Sequence, residues 1–184
     1  MLLSEWAEKE AEAHLAALGD RWAHSRGVAD QARRIGLILD TGDRDILTAA
    51  AFLHDIGYAP ELAHLGFHPI DGARHVRDQG YDRLSGLVAR HTAAEREAAL
   101  RHLSAELDEF CDERSEVSHA LTYCDLTVGP KGQRITPEER LQDIRRRYGP
   151  EHVVSRTVTQ ARTDLLTLAA GIEDRLRECG LATG

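Results

Sequence analysis

Three observations predict an all-α fold, a single-domain helical bundle. Apolar residues recur with the helical period along almost the whole chain, and no run shows the strict alternation or β-branched density of a strand. Glycines, prolines and Thr-x-x-Glu stretches fall where such helices should start or stop. The 184 residues suffice for one core, and 42% apolar with 29% charged residues is ordinary for a globular chain. One domain over 1–184 is expected.

Taken in order, a first helix is predicted from about Ser4 to Leu18, stopping at Gly19, and a second from Arg21 to Asp40 with His24, Val28, Ile35 and Leu39 on one face. A third opens near Asp43 and carries Leu47, Ala50 and His54 until Gly57 offers a stop. Pro69 and Gly80 bracket a fourth, and Leu84, Leu87, Val88 and His91 mark the inner face of a fifth. TAAE at 92–95 has capping-box spacing, so another helix is expected to begin at Thr92, with His91 at the chain reversal. Val117, Leu121, Asp125 and Val128 form a further inward stripe, ended by GPKG at 129–132. TPEE at 136–139 is a second capping box with proline in first helical position. The last helix, about Glu151 to Glu178, carries Val158, Leu165, Leu168, Ile172 and Leu176 near heptad spacing, a stripe fit for the bundle or for a homodimer.

The 23 basic against 31 acidic residues leave a charge of −8, which opposes the phosphate attraction that a nucleic-acid duplex requires. Cys111, Cys124 and Cys179 form no CxxC pair, so neither a disulfide framework nor a thiolate zinc site is expected. The first residues read as an amphipathic helix rather than a secretory signal, and no stretch has the roughly 20 apolar residues of a membrane span. A cytoplasmic location and no membrane partner are expected.

Periodicity places His24, His54, His91 and Asp125 on inner faces, with Asp55 beside His54. A lone histidine on an apolar stripe is more often a hydrogen-bonded core residue than a ligand. Several on different helices, converging with carboxylates, must satisfy one another or bind a cation. Imidazole and carboxylate without thiolate suit Fe, Mn, Co, Ni or Zn, rather than the all-oxygen sites of Mg or Ca. Neighbours on a helix diverge by about 100°, so His54 and Asp55 reach one ion only near a helix end, where Gly57 would loosen the backbone.

His24, then His54-Asp55-Ile56-Gly57, then Asp125 resembles the H…HD…D signature of the HD-domain superfamily of metal-dependent phosphohydrolases, over about residues 20–128. FHPIDGA at 67–73 and VARHTAA at 88–94 look like the extra histidine motifs of branches that bind two metals, among them diadenosine tetraphosphate hydrolases and HD-GYP phosphodiesterases. The resemblance implies one or two divalent ions, two favoured. His24, His54, Asp55 and Asp125 would hold one, while Asp55 bridges to a second on His68 and His91. It departs from those hydrolases after His91, where Thr92-Ala93-Ala94 replaces their Thr-Ser-Gly or Thr-Thr-Gly, and the HD-GYP type's adjacent second histidine is absent.

The implied activity is hydrolysis of a small phosphorylated metabolite, a nucleotide or dinucleotide, by metal-activated water. Asp55, His68 and His91 are the catalytic candidates, the last two as phosphate contacts or proton donors if only one ion binds. Arg21, one turn before His24, and Lys131 in the GPKG loop are candidates to meet the substrate's charge. Arg145, Arg146 and Arg147 read as a solvated face, and His64, His75, His102 and His119 lack motif context. Two alternatives stay open, because some two-metal HD proteins with a similar histidine set are di-iron oxygenases, and the site could serve a non-catalytic ligand-binding or regulatory module.

Overall fold

The computed structural model describes residues 1–182, which form α-helices joined by turns, 3₁₀ segments and longer loops, with one isolated β-bridge between Val128 and Arg134. In chain order the helices are α1 (Leu3–Leu15), α2 (Asp20–Ile35), α3 (Thr41–Leu53), α4 (His68–Asp78), α5 (Asp82–Ala89), α6 (Ala94–Arg101), α7 (Ser104–Leu107), α8 (Glu116–Leu126), α9 (Pro137–Tyr148) and α10 (Val153–Glu178). Among the described residues none is long and apolar enough to cross a membrane.

The centre of the bundle is α3, whose residues from Leu47 to Leu53 are all buried. A helix buried on every side must let its neighbours approach closely, and Ala49, Ala50 and Ala51 do so. It packs against α1, α2, α5 and α8. Asp45 of α3 accepts from the backbone N–H groups of Leu3 and Ser4 at 2.9 and 3.2 Å, which satisfies two free donors at the start of α1.

Several predicted helix ends tighten rather than extend. α1 gives way to a 3₁₀ turn at Ala16–Leu18, α2 to one at Gly36–Ile38, and α3 is followed by one at Ile56–Tyr58. Last turns of this kind satisfy carbonyls that the α-helix leaves free. The capping box at Thr136 forms as expected, since Thr136 Oγ1 accepts from the Glu139 N–H while the Glu139 carboxylate accepts from the Thr136 N–H. The one expected at Thr92 does not form: α6 starts at Ala94, with Ala93 before it and no side-chain cap.

Val158 and Leu165 of α10 pack with Leu126 and Leu141 in a small second cluster, while Ile172 and Leu176 join the main core. The apolar stripe of α10 is thus covered within the chain, by α6, α8 and α9. Helices α9 and α10 thereby roof the end of the bundle at which α3 stops.

Candidate metal centre

The three buried histidines share one device. His24 Nδ1 donates to the Gly129 carbonyl at 3.1 Å, His54 Nδ1 to Ala51 at 2.8 Å and His91 Nδ1 to Val88 at 2.6 Å. The carbonyl partner assigns the ring proton to Nδ1 and leaves the Nε2 lone pair free. Two of these nitrogens meet, His24 Nε2 and His54 Nε2 at 3.4 Å, while His91 Nε2 lies 3.3 Å from the Nε2 of His68.

Asp55 joins the two pairs. Its Oδ1 is 3.3 Å from His68 Nε2, and its Oδ2 is 3.5 Å from His54 Nε2 and 3.9 Å from His24 Nε2. Two triads result, His24 with His54 and Asp55, and Asp55 with His68 and His91, each with ligand atoms within 4.8 Å of one another. Neighbouring donors on a tetrahedral or octahedral ion bound at about 2.0–2.1 Å stand about 2.8–3.4 Å apart. The free Nε2 atoms of His24 and His54 face each other and the Asp55 carboxylate, an arrangement unfavourable without a cation, and the donor sets of both triads fit a divalent ion.

Two glycine contacts set this geometry. A Cβ on Gly57 would lie 2.1 Å from the His68 carbonyl oxygen and 2.5 Å from the Gly72 nitrogen. Gly57 therefore does not loosen the helix end, as expected from sequence; it lets the turn after Asp55 lie against the start of α4, bringing Asp55 to His68. Likewise a Cβ on Gly27 would meet the Gly132 Cα at 2.7 Å, so α2 rests directly on the GPKG loop. That contact presents the Gly129 carbonyl to His24.

Asp55 is nearly enclosed. Burial alone would raise its carboxyl, but Arg21 first, then His54, His68 and His24, hold it well below the usual carboxylate range. Asp125 is likewise held well below that range against its burial, by the His24 contact and Arg140. Burial in turn pushes the imidazoles of His54, His91 and especially His68 below the ordinary histidine value, so they stay neutral and able to bind a metal.

Arg21 donates to Asp55 Oδ2 at 2.6 Å and lies over the Tyr58 ring, 3.8 Å from its centroid. Tyr58 stacks on His68 at 4.0 Å and 17°, which fixes that imidazole from its other face. Arg21 also lines the cavity beside the triads. Lys131 is not near it: the side chain is exposed and does not line the cavity beside the triads.

Asp125 touches the first triad through His24 but is not within 4.8 Å of all its ligand atoms. Its Oδ1 lies 3.1 Å from His24 Nε2, but Arg140 Nη2 donates to that same oxygen at 3.2 Å and contacts His24 Nε2 at 3.3 Å. Its Oδ2 accepts from Thr92 Oγ1 at 2.5 Å. A guanidinium thus stands beside the expected fourth ligand, supplying the positive charge that this acceptor pair requires.

The sequence did not mark Arg140, Tyr58 or Asp71, and it offered Thr92 only as a helix cap. Thr92 holds a left-handed backbone with φ 51°, costly for a β-branched residue, and its hydroxyl binds Asp125 instead of capping α6. Asp71 is buried and accepts from the N–H groups of Leu65 and Phe67 at 2.9 and 3.2 Å, pinning the loop that delivers His68. Arg140 carried one usable signal, since with Ile144 and Tyr148 it shares the helix face that turns inward. Arg147, read as part of a solvated run, reaches the same cavity.

That cavity, about 90 Å³, opens beside the triads. Arg21, Arg140 and Arg147 bring positive charge to its wall, Tyr148 brings an aromatic ring, and Asp55, His68 and His91 form its floor.

An all-α bundle with a buried histidine and aspartate centre suited to divalent ions is the class that this fold and site define. The HD domain family matches residues 21–144, and the chain belongs to that family, which is of the metal-dependent phosphohydrolase type. Comparison with curated proteins and with solved structures finds no match.

Proposed function

We propose that the protein is a dinuclear metal-dependent phosphohydrolase acting on a small phosphorylated metabolite of the nucleotide or dinucleotide class. One observation carries this reading: two triads share Asp55, and the one formed with His68 and His91 opens on a cavity whose wall holds three arginines. His24, His54 and Asp55 would hold one ion, and Asp55, His68 and His91 the other, with Asp125 beside the first through His24. Bound divalent ions of the Fe, Mn, Co, Ni or Zn class lower the pKa of coordinated water and polarise a phosphoryl oxygen.

The chain's own residues supply the rest. Arg21 and the surrounding imidazoles keep Asp55 ionised, with Oδ1 turned toward His68 and Oδ2 toward Arg21, His54 and His24. The carbonyls of Gly129, Ala51 and Val88 hold the imidazoles of His24, His54 and His91 in the tautomer whose Nε2 faces the site. Arg21, Arg140 and Arg147 can orient the phosphoryl oxygens and meet their charge. Tyr148 offers a flat apolar surface to a base, and a cavity of about 90 Å³ accepts the phosphoryl end while the remainder of a larger substrate extends outward.

The test is hydrolysis of a nucleotide panel by protein stripped and reloaded with Mn²⁺ or Co²⁺ under strict anaerobiosis. Phosphate release with about two ions per chain is expected. A requirement for both iron and oxygen would overturn the reading in favour of oxygenase chemistry. Metal that only raises thermal stability, with no turnover on any substrate, would favour a regulatory module.

A further inference from the structure

A second cluster of ligand-type side chains lies on the outside of the bundle, where α1 meets α4. Glu10 and His14 stand one turn apart on α1, and His75 comes from the last turn of α4. Glu10 Oε1 faces His75 Nε2 at 2.7 Å and His14 Nε2 at 3.5 Å, and all three ligand atoms lie within 4.8 Å of one another. The second spacing is too long for a hydrogen bond but close to the edge of a coordination polyhedron, about 2.8–3.4 Å for donors at 2.0–2.1 Å.

The other side of His14 is the decisive feature. Its Nδ1 lies 2.6 Å from Glu61 Oε1, so the ring proton sits there and the Nε2 lone pair faces Glu10 and His75. A carboxylate on the outer nitrogen of an imidazole is the arrangement that orients metal-binding histidines and raises their basicity. His14 is 20% exposed, Glu10 24% and His75 16%, so an ion can enter from solvent and water can fill a remaining position.

We propose that Glu10, His14 and His75 form a peripheral site for a zinc-class divalent ion, with Glu61 as its outer-shell partner. Two imidazoles and one carboxylate favour Zn²⁺, Co²⁺ or Ni²⁺ over Ca²⁺ and Mg²⁺, which take oxygen. The ion ties α1, which precedes residues 21–144 of the HD domain, to α4, whose first residue is His68. It is independent of the chemistry at the central site.

Zinc is counted by elemental analysis, and its affinity measured by calorimetry, on full-length protein preloaded with Mn²⁺. The wild type is expected to take up one Zn²⁺ per chain more than His75→Gln or His14→Gln. Exchange of zinc into the central triads affects all three alike, so the difference isolates the peripheral ion. Zinc should raise the melting temperature of the wild type more than that of either variant. Glu61→Gln should weaken this zinc by about 10- to 100-fold without changing its stoichiometry. Equal zinc counts in wild type and variants overturn the proposal; should one histidine variant not fold, the other decides.

Discussion

Helix α4 carries ligand-type histidines near both ends, and the two surroundings differ. His68, at its start, belongs to a buried cluster in which Nε2 atoms face other Nε2 atoms and one shared carboxylate. His75, about two turns later, faces Glu10 across partly open surface. At the outer cluster each imidazole has a carboxylate to bind, so the side chains are satisfied with protons alone. At the inner one acceptors crowd together, and Arg21, Arg140 and the Thr92 hydroxyl soften the mismatch. Burial turns the same residue types from an optional ion site into one that calls for cations.

The largest expected effect breaks the inner cluster alone. Asp55→Ala should remove the central ions and lower kcat/KM by at least about 10²-fold, the scale of one lost transition-state contact. Helical content should survive and zinc at Glu10, His14 and His75 should remain. Retention of full central metal by this variant, measured by elemental analysis, would sink the assignment.

Next comes Gly57→Ala. A methyl group 2.1 Å from the His68 carbonyl must push the turn and α4 apart, and overpacking of this kind costs about 1–3 kcal/mol. Denaturant unfolding should show a loss at the upper end of that range, with activity falling because Asp55 and His68 separate.

A third test is pH. The metal-free fold depresses His54, His68 and His91 below 6.5, so the unfolded chain binds more protons as acid is added. Stability from these groups is whole above about pH 6.5 and falls progressively below it; Asp55 and Asp125 add a further loss below their ordinary value of 3.8. Bound Mn²⁺ should move the onset to lower pH. A metal-free melting temperature that does not change between pH 7 and 5 would contradict the inner cluster's electrostatics.

The smallest effects separate arginine from lysine at the cavity. Arg140→Gln should raise KM by about tenfold, as loss of one hydrogen bond to a charged group does. Lys131→Ala should change it less than about twofold, since the side chain is exposed and away from the cavity.

Much of this was legible in the chain. The helical period placed His24, His54, His91 and Asp125 inward, and all four are buried. HDIG, FHPIDGA and VARHTAA were legible because histidines and aspartates at helix ends carry local spacing. Thr92 was misread because TAAE matches a capping box locally, whereas its hydroxyl answers to Asp125, distant in sequence. Lys131 was chosen for its loop, but the loop's task is backbone: Gly132 packs on α2 and Gly129 orients His24. His75 was set aside because its partners, Glu10 and His14, lie on a helix some sixty residues earlier.

By itself, then, the sequence determined an all-α bundle, its family and the inward residues of the central site, since periodicity and short motifs depend on neighbours along the chain. Only the tertiary structure decided that Asp55 joins two triads, that Arg140 stands beside Asp125, and that α1 and α4 share an outer cluster. Those facts depend on how helices cross, which is set by close approaches such as Gly57 against His68 and Gly27 against Gly132. No local pattern encodes them, because each contact involves atoms whose separation in sequence leaves no period to read.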